Sequence, residues 1–154
     1  MTIVDTETKH KLREMGVAVL ADALTGQDDT LTIGMPFAER IKLAVDDAHA
    51  SFSQTKIGGL IRRAGLRYPD AELRRLDLLE ERHIDRGVIA QLGTCTFIGR
   101  GENVVFQGFT GSGKTYVGSA LTRAACQHRY RALYVRMPDL EEAWHAAADK
   151  PGGK

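Results

Sequence analysis

The chain has 154 residues, of which 43% are hydrophobic and 27% are charged, and its formal net charge is +1. This composition is typical of a globular protein and excludes a disordered or low-complexity chain. No apolar run reaches the roughly 18 residues of a membrane-spanning helix, and the N-terminus lacks the apolar core of a signal peptide. We therefore expect a cytoplasmic protein with no membrane partner. Cys95 and Cys126 have no metal-ligand spacing, so reduced, buried thiols are expected.

Basic side chains are concentrated in one short stretch of the chain. Residues 56–75 carry six basic and two acidic side chains. The six are Lys56, Arg62, Arg63, Arg67, Arg74 and Arg75. A basic stripe can bind nucleic-acid phosphates, and it can equally be the solvated face of a helix. Because no aromatic residues are interleaved with these cations, composition alone leaves both interpretations open.

The first half of the chain has the apolar periodicity of α-helices. This periodicity predicts helices at Thr6–Leu24, from Pro36 through Phe52, at Leu60–Leu66 and at Asp70–Glu81. The second of these carries a core-facing stripe from Phe37 to Phe52. Leu31–Gly34 is predicted to be a connector, and Gly58-Gly59 a kink or a break.

From about residue 85 the pattern changes to alternating helices and extended segments. Asp85 is predicted to cap a short helix that ends at Leu92. Extended structure is expected at Gly93–Ile98, with buried strands at Val104–Phe106 and Ala132–Met137. Pro138 is expected to open a last helix through Ala148. The predicted fold class is thus α/β, with a helical domain at residues 1–84 and a partial nucleotide-binding domain at residues 85–154.

The first predicted strand leads into the P-loop pattern, Gly108-x-x-x-x-Gly113-Lys114-Thr115. A strand, a glycine-rich turn and a helix together aim backbone N–H groups at a phosphate. Lys114 would contact the β- and γ-phosphates, and Thr115 would give its hydroxyl to Mg²⁺. The predicted nucleotide-binding residues are Gly108, Phe109, Thr110, Gly111, Ser112, Gly113, Lys114, Thr115 and Tyr116. The alternative is a glycine-rich hairpin that matches the pattern by chance.

The sequence after Thr115 lacks the second element of a P-loop enzyme. An apolar strand ending in Asp or Asp-Glu would complete the Mg²⁺ shell and position the attacking water. The strand ending at Met137 is followed by Pro138 and Asp139, which is a poor match. A parallel sheet also needs several strands buried on both faces. We therefore expect the truncated, N-terminal part of a nucleotide-binding protein that does not hydrolyse nucleotide alone, and we name no catalytic residue.

These features together resemble the IstB-like helper ATPases of bacterial insertion sequences, relatives of the DnaC-type helicase loaders. The resemblance rests on Leu12–Leu24 with Thr25-Gly-Gln, Phe37–Asp46, Leu60–Leu66, Ile84–Gly87 and Gly101–Thr115. It implies a helical N-terminal domain joined to an AAA+ αβα domain that binds ATP and Mg²⁺. It also implies homo-oligomers on double-stranded DNA, bound with little sequence preference, and assistance to a transposase. The basic stripe then becomes the DNA-contact candidate. The Walker B acidic pair, sensor residues and arginine finger of the family are absent.

Three alternatives stay open at the level of sequence. A helicase loader would share the chemistry and differ in its partner. A non-enzymatic DNA-binding or oligomerisation module would use the helical part alone. A small P-loop kinase would use the same phosphate loop, although such kinases usually place it near the N-terminus rather than at residue 108.

Overall fold

The computed structural model describes residues 4–27, 29–32, 34–76 and 85–148. Cα packing divides the chain into two units, Met1–Lys56 and Ile57–Lys154. The α-helices of these ranges are α1 (Thr6–Glu14), α2 (Ala18–Thr25), α3 (Asp29–Thr32), α4 (Phe37–Arg63), α5 (Arg86–Gly93), α6 (Thr96–Gly99), α7 (Lys114–Gln127) and α8 (Met137–Ala148). None of them combines the length and apolar character that spanning a membrane requires. The predicted domain boundary at residue 84 lies outside the described residues and stays a prediction.

The predicted helix Thr6–Leu24 is wrong as a single helix, because α1 and α2 are separate. Gly16 lies between them with φ at +77°, and this left-handed residue ends α1. The Val17 N–H then donates to the Leu12 carbonyl at 2.9 Å. At the start of α1, Asp5 Oδ1 accepts a 2.6 Å bond from the Thr8 N–H, and this bond holds the pKa of Asp5 below its usual range.

Helix α4 continues through Gly58-Gly59, so the alternative of a break there is wrong, and the alternative of a kink stays a prediction. A glycine costs a helix interior only about 1 kcal/mol relative to alanine. The residues that follow are packed in the core, since Leu60 and Ala64 are both buried. The predicted apolar stripe is only partly buried, since Ala44 and Ala48 are buried while Phe37, Val45 and Phe52 are exposed. The connector predicted at Leu31–Gly34 is also wrong in part, because α3 extends to Thr32.

The second unit is built around α7, the helix predicted to follow the glycine-rich loop. Its buried residues are Val117, Ser119, Ala120, Leu121, Ala124, Ala125 and Cys126. Cys126 packs with Leu60 and Ala64 at the end of α4, and Ala124 and Ala125 pack with Cys95. Both cysteines are free and buried, as predicted. Burial raises the pKa of each thiol.

Two further predictions in this unit, at residues 93–98 and at Asp70–Glu81, differ from the secondary structure observed. Residues 93–98 were expected to be extended, but α5 runs to Gly93 and α6 begins at Thr96. Cys95 joins the two helices in the left-handed conformation, with φ at +56°. At Asp70–Glu81 the structure has a 3-10 turn over Leu73–Arg75 instead of a helix, and residues 77–81 lie outside the description. The predicted cap of α5 is confirmed, because Asp85 Oδ1 accepts from the Gly87 N–H at 2.6 Å.

The described residues contain no β-strand, so the structure does not confirm the α/β class or the strands at Val104–Phe106 and Ala132–Met137. Residues 131–135 nevertheless alternate between exposed and half-buried side chains, as a strand does. Their backbone does not pair with residues 104–106 in a ladder. Instead the Tyr134 N–H donates to the Ala64 carbonyl at 2.8 Å, at the end of α4. A β-strand requires backbone hydrogen bonds to a neighbouring strand, whereas the Tyr134 N–H bonds to the end of a helix. Residues 131–135 are therefore extended without being part of a sheet.

Candidate nucleotide-binding site

The glycine-rich loop has the backbone geometry that the sequence pattern predicts. Gly111 and Gly113 have φ at +84° and +90°, in the region that side chains disfavour. A Cβ added to Gly108 would lie 2.8 Å from Ser112 Oγ, which is too close for two unbonded heavy atoms. Gly113 is the N-cap of α7 and offers no side-chain hydrogen bond to the helix. The first N–H groups of α7 are thus left to an external acceptor.

The Lys114 ammonium lies at the centre of this loop. Its Nζ donates to the Gly108 carbonyl at 2.8 Å and to the Phe109 carbonyl at 2.7 Å, and it lies 3.5 Å from Ser112 Oγ. The loop therefore curls around a positive charge at the N-terminus of a 14-residue helix. That charge and the positive end of the helix dipole both favour a bound anion. The next residue, Thr115, is exposed on the same turn, so its hydroxyl is free to reach a cation held by that anion.

A cleft of about 1050 Å³ lies between the chain leading into this loop and helices α5 and α6. Its apolar lining includes Ile89, Leu92, Phe97, Phe106, Phe109 and Val117, and Lys114 also lines it. This volume is slightly above the range for small-molecule pockets, about 300–1,000 Å³. Sequence patterns gave no residues for the base of a nucleotide. The cleft supplies aromatic and aliphatic side chains for an aromatic ring within the same unit as the phosphate loop.

Asp139, the weak acidic candidate after the P-loop, is engaged elsewhere. Its two carboxylate oxygens accept 2.8 Å bonds from Nε and Nη2 of Arg136. This bidentate pair holds the pKa of Asp139 below its usual range. The residue does not line the cleft. The geometry thus gives Asp139 no role at the loop.

The structure separates the cations of the basic stripe into paired and unpaired groups. Glu72 contacts Arg74 Nε at 2.6 Å and Arg75 Nε at 3.2 Å, and the bond from Arg74 lowers the pKa of Glu72. Lys56, in the first unit, lies 5.8 Å from the centre of the Phe52 ring. The guanidinium groups of three exposed arginines meet no carboxylate of the described residues. These three are Arg62, Arg63 and Arg67.

Arg123 is a residue that sequence reasoning did not select. It lies on α7, nine positions after Lys114, and its side chain is only 22% exposed. Its Nη1 donates to the Pro69 carbonyl at 2.6 Å, and its Nη2 lies 3.6 Å from Glu72 Oε1. Nothing in the local pattern distinguishes it from a solvated helical arginine. Its partners are more than 50 residues away in sequence, so only the tertiary structure shows the contact.

Alanine at Gly113 and alanine at Gly118 are expected to have opposite effects on stability. At Gly113 the native φ of +90° is strained for alanine, so we expect the free energy of unfolding to fall by about 1–2 kcal/mol. At Gly118, in the interior of α7, an added Cβ meets no atom within 4 Å. There alanine should raise stability by about 0.5–1 kcal/mol. Urea unfolding of the two variants measures both, and equal effects would contradict the loop geometry.

Comparison with known proteins agrees with this site. The family profile described as IstB-like ATP binding protein matches residues 7–153, which include the whole loop. A protein named as an ATP-binding protein of insertion sequence IS1162, from Pseudomonas fluorescens, is 32% identical over 139 residues. A similarly named insertion sequence ATP-binding protein of Sinorhizobium fredii, y4uH, is 29% identical over 144 residues. Among solved structures there is no significant match.

The aligned regions are 88% and 91% of this chain, and 60% and 56% of the two relatives. The chain therefore spans somewhat more than half the length of these proteins. Because the family match extends over nearly the whole chain and contains the phosphate loop, the chain belongs to the IstB-like ATP-binding protein family.

Proposed function

We propose that this chain is the nucleotide- and DNA-binding part of an insertion-sequence transposition helper. In this proposal it binds ATP with Mg²⁺ at the P-loop and double-stranded DNA at the basic stripe, without sequence preference. It oligomerises on DNA in the cytoplasm and assists a transposase. The observation that carries the proposal is the loop curled around Lys114 in a chain of the IstB-like family. The insertion-sequence names of the relatives favour transposition over helicase loading.

At the loop, each residue has a distinct task in nucleotide binding. The Lys114 ammonium exchanges its bonds to the Gly108 and Phe109 carbonyls for the β- and γ-phosphates. The N–H groups of the first turn of α7 donate to phosphate oxygens. Thr115 would hold Mg²⁺ through its hydroxyl oxygen, and the ion would neutralise part of the phosphate charge. The base lies in the apolar cleft, in contact with Phe106 and Phe109.

At the basic stripe, the unpaired arginines are the main DNA contacts in this proposal. Arg62 and Arg63 end α4, and Arg67 follows in the next segment. Each phosphate that a guanidinium neutralises releases condensed counterions, so affinity falls as salt rises. Arg74 and Arg75 contribute less, because Glu72 already neutralises part of their charge. Contacts to phosphates position the protein without reading the base sequence.

The test measures ATP and duplex binding by this 154-residue chain, with a non-hydrolysable ATP analogue and with ATP. We expect saturable binding of both nucleotides in the presence of Mg²⁺. We also expect duplex binding that weakens steeply with salt and is the same for unrelated sequences. Hydrolysis by the chain alone is expected to be undetectable. A chain that binds neither nucleotide would refute the assigned site, and phosphate transfer to a small acceptor would identify a kinase instead.

A further inference from the structure

Two residues of α7 contact the same short segment that follows α4. Tyr116, next to the predicted Mg²⁺ ligand Thr115, places its ring 5.8 Å from the ring of Tyr68 with an interplanar angle of 48°. Seven residues later, Arg123 donates to the Pro69 carbonyl at 2.6 Å. Residues seven apart lie on one face of a helix, about 10 Å along its axis. One face of the phosphate-binding helix therefore holds segment 67–72 at two points.

We propose that Arg123 is a positioning residue that fastens segment 67–72 to α7 and so links nucleotide binding to DNA binding. The inference rests on the proposed function, because Arg67 of this segment is one of the unpaired DNA-contact candidates. The link runs from the first turn of α7, through Tyr116 and Arg123, to the backbone that carries Arg67. Phosphate held by Lys114 and by the N–H groups of that first turn fixes the turn, and the two contacts pass the restraint to the segment.

The surroundings of Arg123 distinguish it from the other arginines near the stripe. Its side chain is 22% exposed, whereas Arg74 and Arg75 are 79% and 65% exposed. Its Nη atoms face the Asp70 and Glu72 carboxylates at 3.7 and 3.6 Å, in addition to the Pro69 carbonyl. Its Nε is buried and has no hydrogen-bond partner. A half-buried arginine with its fork on one segment holds a fixed geometry rather than serving as a mobile surface charge.

Such a link is reciprocal and can be measured from either side. If ATP raises the affinity for DNA by some factor, DNA raises the affinity for ATP by the same factor. Couplings of this kind are commonly about 5- to 150-fold. Loss of the fastening residue should reduce this factor toward one and leave each ligand bound at its own site.

The test compares the wild-type chain with Arg123→Gln and Tyr68→Ala, which break the two contacts independently. Arg136→Gln is the matched control, since it removes an ion-paired arginine that directly precedes α8 and does not touch the segment. In the wild type and the control, ATP should slow amide hydrogen exchange in segment 67–72. It should also raise the affinity of the chain for duplex by about 5-fold or more. In Arg123→Gln and Tyr68→Ala, both responses should disappear, while ATP affinity without DNA changes by less than about 3-fold.

The outcomes separate this inference from the proposed function. An Arg123→Gln chain that keeps the ATP-dependent gain in duplex affinity would overturn the inference. A wild-type chain in which ATP leaves amide hydrogen exchange in segment 67–72 unchanged would also overturn it. Failure of the wild type to bind duplex at all would refute the DNA part of the proposed function. In that case the exchange measurement still decides whether Arg123 transmits nucleotide binding to the segment.

Discussion

Replacing Lys114 with alanine lowers the affinity of the chain for ATP by at least about 30-fold, because truncating one partner of a desolvated charge pair costs about 2–5 kcal/mol. The ammonium is the positive centre of the loop, held by the Gly108 and Phe109 carbonyls. Without it, the β- and γ-phosphates would face carbonyl oxygens with no cation between them. Calorimetric titration with the non-hydrolysable analogue measures the loss.

Lys42→Ala is the control for this experiment. Lys42 is an exposed lysine of α4 in the first unit, so its removal changes the net charge equally without touching the loop. We expect it to bind nucleotide as the wild type does. Circular dichroism should show the same helical content in both variants. Wild-type affinity in Lys114→Ala would eliminate the P-loop as the nucleotide site.

Charge reversal at Arg62, Arg63 and Arg67 should nearly abolish duplex binding at moderate salt. If each arginine neutralises one phosphate, the slope of log K against log salt falls in magnitude by about 2.7, at about 0.9 per contact. Reversal adds repulsion to this loss. Nucleotide affinity should stay unchanged, because none of the three lines the nucleotide cleft. Fluorescence anisotropy of a labelled duplex across a salt series measures both the affinity and the slope.

Two neutralised pairs make a matched comparison within the stripe. Arg62→Gln with Arg63→Gln removes two cations that no described carboxylate pairs with, and it should lower the slope by about 1.8. Arg74→Gln with Arg75→Gln removes two cations that already contact Glu72. This double variant should lower the slope by less than the value of about 0.9 expected for one phosphate contact. Equal losses from the two pairs would show that ion pairing within the stripe does not decide which arginines meet DNA.

The phosphate loop was predictable because its chemistry is local. The glycine positions, the lysine and the following helix all lie within 20 residues of one another, and the structure has α7 beginning at Lys114. The Asp85 cap of α5 was predictable for the same reason, since its bonds reach only Gly87 and Val88. The resemblance to the IstB-like family likewise depends on sequence motifs and not on tertiary contacts. Local rules therefore predicted the glycine-rich loop and the helix that follows it.

The predictions that failed were those whose outcome depends on tertiary packing rather than on local sequence. Gly16 ends a helix, whereas Gly58 and Gly59 lie within one. Local propensity treats these glycines alike, and the burial of Leu60 and Ala64 on the next turn distinguishes them. The extended residues 131–135 have strand periodicity, but their observed hydrogen bond goes to the end of α4. The apolar cleft and the Arg123 contacts join segments far apart in the chain, so no sequence window contains them.

Helix α8 has a consequence for spectroscopy of this protein. Its apolar residues Met137, Leu140 and Trp144 are all exposed, and Trp144 is 73% exposed. Because it is the chain's single tryptophan, fluorescence excited selectively at the indole, and not at the tyrosines, reports on this helix alone. Emission from the native chain should already resemble that of a solvated indole and change little on unfolding. A blue shift would then signal that something has covered α8, which makes Trp144 a built-in reporter of association and a poor reporter of stability.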